Sequence, residues 1–231
     1  MHYLDGVSNL SAMLRYLPLL LLFTACGPAE PEGPAPGPEA DAPTQAPAAA
    51  ADLRPIETEE EMIATALLAA PEASRAGARV LGYGPDGEVV TLREGTNEFI
   101  CLADDPARDG FSAACYHRDL EPFMARGRAL RAEGKSAQEI FATREAEAKA
   151  GSLDMGPAGT TLHVYSGPEA RYDPATGEVP GATYRYVVYM PFATAASTGL
   201  PEAPIAPNHP WIMDPGTHRA HIMISPVAGM E

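Results

Sequence analysis

Apolar residues recur at helical spacing in three stretches of the chain. The first follows a capping box at residues 58–61, Thr-Glu-Glu-Glu, and its stripe ends near Pro71. The second ends at Gly134, and the third begins at another capping box, Ser-Ala-Gln-Glu at 136–139, with Gly151 as its C-cap. We therefore expect helices at 58–71, 120–134 and 136–150, the last two forming a hairpin.

Six other segments are rich in β-branched and aromatic residues or alternate between apolar and polar positions. The first three are joined by short turns, one of them Pro-Asp-Gly at 85–87, so we expect a three-stranded meander. Segment 182–190 carries apolar side chains on both faces, which is typical of a central strand. The predicted strands cover residues 78–83, 88–93, 98–103, 160–165, 182–190 and 219–225.

These elements predict an α+β fold in one globular domain at residues 57–231. Its centre is a single antiparallel sheet of about six strands, with the helical hairpin and one N-terminal helix packed on one face. The connection from residue 191 to residue 216 contains six prolines. Connections of this length are uncommon unless they serve a function.

The same connection holds the single tryptophan of the chain, Trp211, two residues before Met213. One interpretation makes Trp211 and Met213 the rim of a site for an apolar ligand or partner. The other makes the connection a lid whose tryptophan and methionine complete the hydrophobic core. Both interpretations are open on the sequence alone.

The charge of the chain excludes one class of partner. It has 231 residues, with 16 Lys and Arg against 31 Asp and Glu, and a formal net charge of −15. Nucleic-acid binding needs a cationic surface, so we expect no nucleic acid as a partner. The sequence also lacks a phosphate-binding glycine loop and a dinucleotide fingerprint, so we expect no nucleotide.

A short apolar run at residues 17–25 follows Arg15 near the front of the chain. It is too short to span a bilayer as a helix, and it fits the apolar part of a signal peptide. Residues 23–27 read Phe-Thr-Ala-Cys-Gly, which resembles the lipobox of bacterial lipoproteins. The resemblance implies a signal peptide at residues 1–25 and cleavage before Cys26. Met13 is favoured as the start, because Asp5 is acidic and Met13-Leu14-Arg15 stands directly before the apolar run. The resemblance also implies a membrane anchor, with a diacylglycerol on the Cys26 sulfur and a fatty acyl group such as palmitate on the new amino terminus.

Residues 26–56 are predicted to form an extended tether. Between residues 27 and 55 there are eight prolines, nine alanines and three glycines, and the charged residues are mostly acidic. Such a segment cannot bury enough apolar surface to fold, and proline-rich chains extend by about 3.1 Å per residue. We therefore expect a lipid-anchored protein whose domain stands away from the membrane, in the periplasm or on the outer surface of the envelope.

Export also bears on the other two cysteines, Cys101 and Cys115. In an oxidising compartment such a pair is normally joined by a disulfide. The alternative is a reactive thiol at Cys115 with His117 close by.

Three histidines lie close together in the sequence, His209, His218 and His221, with Asp214 among them. A zinc site needs three or four nitrogen, oxygen or sulfur donors, and these residues offer that number. With Glu121 and His221 as catalytic groups, they would form a metal-dependent hydrolase. Alternation along a strand places His218 and His221 on opposite faces unless His218 lies in the preceding turn. The simpler interpretation is that these are ordinary, partly exposed histidines and that no cofactor is bound.

The sequence thus favours a cell-envelope lipoprotein whose tethered domain binds a small ligand or another envelope protein. Beyond the lipobox, the mature region resembles only uncharacterised exported bacterial proteins, which implies no activity. The alternative function is a zinc-dependent hydrolase that uses His209, His218 and His221. Whether the chain catalyses a reaction is open at this point.

Overall fold

The structure is a computed structural model that describes residues 52–226. These residues belong to one compact unit, Pro47–Glu231. The predicted signal peptide, Cys26 and most of the predicted tether lie outside the described residues. In chain order the elements are β1 Arg54–Pro55, α1 Glu59–Leu67, α2 Glu72–Arg75, β2 Arg79–Tyr83, β3 Val89–Arg93, β4 Phe99–Leu102, β5 Phe111–His117, a 3₁₀ turn Arg118–Leu120, α3 Glu121–Ala132, α4 Ala137–Lys149, β6 Thr161–Gly167, β7 Arg171–Tyr172, β8 Thr183–Tyr189, α5 Ala195–Thr198, β9 Trp211–Met213 and β10 His221–Ile224.

Eight of these strands form one mixed sheet in the order β3-β2-β4-β5-β6-β8-β10-β9. Strands β2 and β4 run parallel, and the other neighbouring pairs are antiparallel. The short strands β1 and β7 pair separately. The prediction of a single antiparallel sheet of about six strands is therefore wrong, because it lacks β5, β9 and the parallel pair.

The predicted meander of the first three strands is wrong for a local reason. After β3 the chain passes across the first residues of β2. Strand β4 then pairs with the edge of β2 opposite to the one that pairs with β3. The backbone N–H groups of Thr96 and Asn97 donate to the carbonyl of Gly77 at 2.8 and 3.1 Å, which holds the crossing in place. A Cβ atom at Gly95 would lie 2.5 Å from the backbone nitrogen of Arg79, so this close passage requires glycine.

Helices cover both faces of the sheet, and not one face as the sequence predicts. Successive residues of a strand point to opposite faces. Cys115 packs with Ala66 of α1 on one face, which we call the α1 face. Its neighbour Tyr116 packs with Phe123 of α3 on the other face, which we call the hairpin face. Strands β4 and β5 are therefore enclosed on both sides.

The three predicted helices are present and both capping boxes are confirmed, but α1 ends at Leu67, before the predicted end near Pro71. At the start of α1 the backbone N–H of Glu61 donates to the Thr58 hydroxyl, and the Glu61 carboxylate accepts from the Thr58 N–H. The same exchange at Ser136 opens α4. Helices α3 and α4 pack as a hairpin, in which Arg126 donates to the carboxylate of Glu147 at 2.7 to 3.0 Å.

The predicted disulfide between Cys101 and Cys115 is confirmed. The two residues stand directly opposite each other on β4 and β5, and both are 0% exposed. The bond leaves Cys115 without a thiol, so the alternative of a reactive thiol there is wrong. Closing a loop of about 15 residues stabilises a fold by roughly 3 kcal/mol in the chain-entropy account.

Candidate functional site

An open groove of 590 Å³ lies on the hairpin face at the β9 edge of the sheet. Strands β8, β10 and β9 form its floor, and residues 204–209 of the proline-rich connection form its wall. Both residues that the sequence predicts for a ligand rim, Trp211 and Met213, line it. We call it the Trp211 groove, and its lining residues are Arg185, Pro204, Ile205, Ala206, Pro207, Asn208, His209, Trp211, Met213, Met223 and Ser225.

Strand β9 divides its side chains between the groove and the core. Trp211 and Met213 line the groove and are only partly buried. Ile212, between them, points to the opposite face and is 0% exposed. Its backbone N–H donates to the carbonyl of Pro201 at 2.9 Å, which ties the connection to the strand. Ile212 therefore completes the core at this edge, and Trp211 faces the open groove.

The proline-rich connection is a closed loop with strained backbone. Its ends are joined where the N–H of Phe192 donates to the carbonyl of Thr217 at 2.8 Å. Among residues 52–226, the non-glycine residues with positive φ are Phe192, Asn208 and Asp214, all within this connection. Asn and Asp tolerate that region, but it is strained for Phe, and such strain persists where the surrounding structure enforces it, often at functional sites.

The groove has few polar groups. Arg185 of β8 is exposed, and it is the only permanently charged side chain among the lining residues named above. The Nδ1 atom of His209 is buried and has no hydrogen-bond partner within the described residues. Leaving a buried polar atom unpaired costs about 1–3 kcal/mol, and in native structures water or a bound molecule usually satisfies it.

The residues that the sequence suggests for zinc do not come together. Asp214 accepts a hydrogen bond from Arg219 at 2.7 Å, and the Nδ1 atom of His221 lies 2.7 Å from the Arg219 carbonyl. His209 lies in the Trp211 groove instead. In the part of the chain that the structure describes, no three His, Cys, Asp or Glu side chains are grouped to hold a metal ion. These donors do not fit a zinc site.

Glu121, the predicted acid or base of the hydrolase, is held in a network at the start of α3. It accepts from the Tyr116 hydroxyl at 2.6 Å and from Arg128 at 2.5 Å. Arg128 also donates to the Tyr116 oxygen at 2.9 Å. Desolvation raises the pKa of the buried Tyr116 hydroxyl well above its usual value. This arrangement supports the packing of α3 on the sheet.

His218 lies in the turn before β10 and is 0% exposed. Its Nδ1 atom lies 2.5 Å from the carboxylate of Glu145, which also accepts from the His218 backbone N–H at 2.8 Å. Burial lowers the pKa of His218, so the neutral ring donates from Nδ1. Burial alone raises the pKa of Glu145, but hydrogen bonds from Lys149 and His218 lower it to about 2. The pair fixes α4 to the sheet, enclosed by the rings of Phe123 and Phe141.

A second open cavity, of 490 Å³, lies on the α1 face. His163, Tyr184 and Tyr186 form its floor, and the ring centroid of Tyr186 lies 5.4 Å from that of His163 and 6.2 Å from that of Tyr184. Pro71 and Arg75 line it from the segment after α1. Alternation along 182–190 places both tyrosines on one face, but only the sheet order shows that His163 joins them.

Sequence analysis misses Arg185, Met223 and Ser225 as members of the groove. Met223 pairs with Val187 on one side and with Trp211 on the other. Alternation along 182–190 and 219–225 is the available signal, but it becomes useful only when the order β8-β10-β9 is known.

No family model matches this sequence, and no curated protein or solved structure matches it either. The functional argument therefore depends on the geometry above. Within residues 52–226, none of the helices has the length and apolar character that a bilayer crossing requires.

Proposed function

We propose that this chain is a lipid-anchored binding protein of the cell envelope, and that its domain takes an apolar ligand in the Trp211 groove. The observation that carries the proposal is that neighbouring side chains of β9 lie on opposite faces of the sheet, one in the core and one in the groove. Ile212 supplies the core, while Trp211, the single tryptophan of the chain, stays partly exposed on the floor of an open groove.

The size and lining of the groove support this function. Small-molecule sites are concave, enclose roughly 300–1,000 Å³, and are mostly apolar with a few polar groups. The Trp211 groove encloses 590 Å³ and has this composition. Ile205 on its lip is 73% exposed, and grouped apolar exposure of this kind marks binding surfaces.

Two features support the envelope location. Residues 23–27 resemble a lipobox, with Cys26 at the lipidated position. The buried disulfide between Cys101 and Cys115 is a bond that persists in oxidising compartments and is rare in the cytosol. The hydrolase alternative receives no such support, since its donor side chains are not assembled.

The groove is tested with N-phenyl-1-naphthylamine, a neutral apolar dye, and the unit Pro47–Glu231 exported into an oxidising compartment. We expect saturable dye binding with energy transfer from Trp211, the only tryptophan. Ile205→Asp places a charge on the exposed lip, so we expect about tenfold weaker binding, equivalent to about 1.4 kcal/mol, with unchanged stability.

Val89→Asp is the matched control, because Val89 is also an exposed apolar residue, at 38%, and lies outside the groove. It should leave dye affinity unchanged. Dye binding that is insensitive to Ile205→Asp, or that shows no energy transfer from Trp211, would contradict the groove as the site.

The anchor is tested with the full chain in a bacterial host. We expect it to enter the detergent phase on phase separation and to incorporate labelled palmitate. Cys26→Ser should keep its leader and incorporate no palmitate, whereas the conservative Thr24→Ser should behave like the natural sequence. A natural chain that stays uncut and takes up no palmitate would overturn the anchor, and the groove proposal would then depend on the dye experiment alone.

A further inference from the structure

The Trp211 groove has a polar end. On the hairpin face one row across the sheet is apolar, namely Val187, Met223 and Trp211. Two residues further along each segment, beyond the last paired residues of β10 and β9, the lining is polar and consists of Arg185, Ser225 and His209, which we call the polar row. Met213 extends the apolar part in the opposite direction along β9. The groove therefore changes from polar to apolar along the strands.

We infer that the Trp211 groove binds a single-chain amphiphile with one anionic head group, of the fatty-acid carboxylate class. This inference rests on the proposed function and names the ligand chemistry of the same groove. The chain of the amphiphile lies against Trp211 and Met223, and its head group lies at the polar row beside Arg185.

The charge at the polar end selects an anion. The whole chain has a formal net charge of −15, so most of its surface repels anions. Arg185 is the permanent charge in the groove, and within residues 52–226 it makes no salt bridge. A guanidinium group donates two hydrogen bonds to a carboxylate in a matching geometry. Arg185 is thus available for an anion at this end of the groove.

One further group favours a head that forms hydrogen bonds at the same end. Ser225 is exposed and lines the groove beside Arg185, so its hydroxyl can donate to a carboxylate. A wholly apolar ligand would cover this hydroxyl without pairing it, which weakens its binding. The head group of an amphiphile removes that cost, while its chain covers Trp211 and Met223.

The test is a titration of Trp211 fluorescence in the unit Pro47–Glu231 with decanoate, decanol and acetate. These compounds supply the chain with the charge, the chain without it, and the charged head alone. We expect decanoate to shift the emission to shorter wavelength with saturation, and decanol to bind about two- to fivefold more weakly, as expected for the loss of an exposed charge contact. Acetate should cause no shift at the same concentrations.

Arg185→Gln should remove the preference for decanoate over decanol. Arg118→Gln, which replaces another exposed arginine outside the groove, should leave the preference intact. Added salt should weaken decanoate alone, because screening acts on the exposed charge contact.

Equal affinity for decanoate and decanol, unchanged by Arg185→Gln, would overturn the anionic head group and leave the groove as a site for neutral apolar ligands. If neither long-chain compound moves the Trp211 emission while the naphthylamine dye binds, the amphiphile is the wrong class. If the dye fails as well, the proposed function itself is wrong.

Discussion

The two halves of the sheet differ in how completely they are covered. In the half around the disulfide, strands β2, β4 and β5 lie between α1 and α3, and Val80, Cys101 and Cys115 are 0% exposed. In the half around the groove, strands β8, β10 and β9 carry Trp211, which stays partly exposed under a proline-rich connection. We call these the disulfide half and the groove half.

The comparison indicates that stability and binding are assigned to different strands. The disulfide and the two-sided core stabilise the disulfide half, where the central side chains of β2, β4 and β5 are fully buried. The groove half can then tolerate exposed apolar side chains such as Ile205 and a strained residue such as Phe192. Changes in the groove should therefore alter binding more than stability, and changes in the core should do the reverse.

The sharpest test of this division uses two neighbouring residues of β9. Ile212→Ala removes a fully buried side chain and should lower the free energy of unfolding by about 2–5 kcal/mol. Trp211→Ala removes a partly exposed side chain and should lower it by only about 1 kcal/mol. Urea unfolding followed by far-ultraviolet circular dichroism measures both, since the second variant has no tryptophan.

The same two substitutions should affect ligand binding in the opposite order, with the larger loss for Trp211→Ala. Trp211→Ala should abolish naphthylamine binding, while Ile212→Ala should retain it under conditions where the variant is folded. Equal losses of stability would mean that Trp211 completes the core, and the groove half would then be as closed as the disulfide half.

The helices and most strands could be predicted because their signals are local. The capping boxes at Thr58 and Ser136 mark α1 and α4 without any knowledge of the fold. Strand β5 could not be predicted, because Phe111–His117 contains serine and two alanines, which are poor strand formers. It becomes a strand through burial between two layers of helices, and Ala113 is 0% exposed there.

The candidate site shows the same limit. Trp211 and Met213 are recognisable from the composition of one connection, but Arg185 and Met223 join them only through the pairing of β8, β10 and β9. The histidines are close in the sequence, which suggested a shared metal site, but they lie in different parts of the fold. His209 lies in the groove, whereas His218 is sealed in the core against Glu145.

A smaller effect that separates the two halves is the dependence of stability on pH. Burial lowers the pKa of His163, His218 and His221, which lie on or next to the strands of the groove half. An unfolded histidine binds its proton near pH 6.5. Below that pH the unfolded chain takes up protons that the folded chain binds more weakly, so the free energy of unfolding falls on acidification.

Asp104, directly after β4 in the disulfide half, has the opposite sign. Burial raises its pKa to about 6 from 3.8. As the pH falls toward 6 the folded chain therefore takes up a proton at Asp104 before the unfolded chain does, which stabilises the fold on acidification. The three histidines dominate between pH 7.5 and 6, and Asp104 opposes them increasingly from about pH 7 downward.

We expect urea unfolding of the unit Pro47–Glu231 to show a loss of stability from pH 7.5 to pH 6, with a slope of at most about 1.4 kcal/mol per pH unit for each histidine. His221→Gln should reduce that slope, because it removes one group whose pKa is lowered by burial. Asp104→Asn should steepen the loss below about pH 7, because it removes the opposing group. A stability that rises from pH 7.5 to pH 6 would contradict the burial of neutral histidines in the groove half, since one carboxyl that is about half protonated at pH 6 stabilises the fold by less than the three histidines destabilise it.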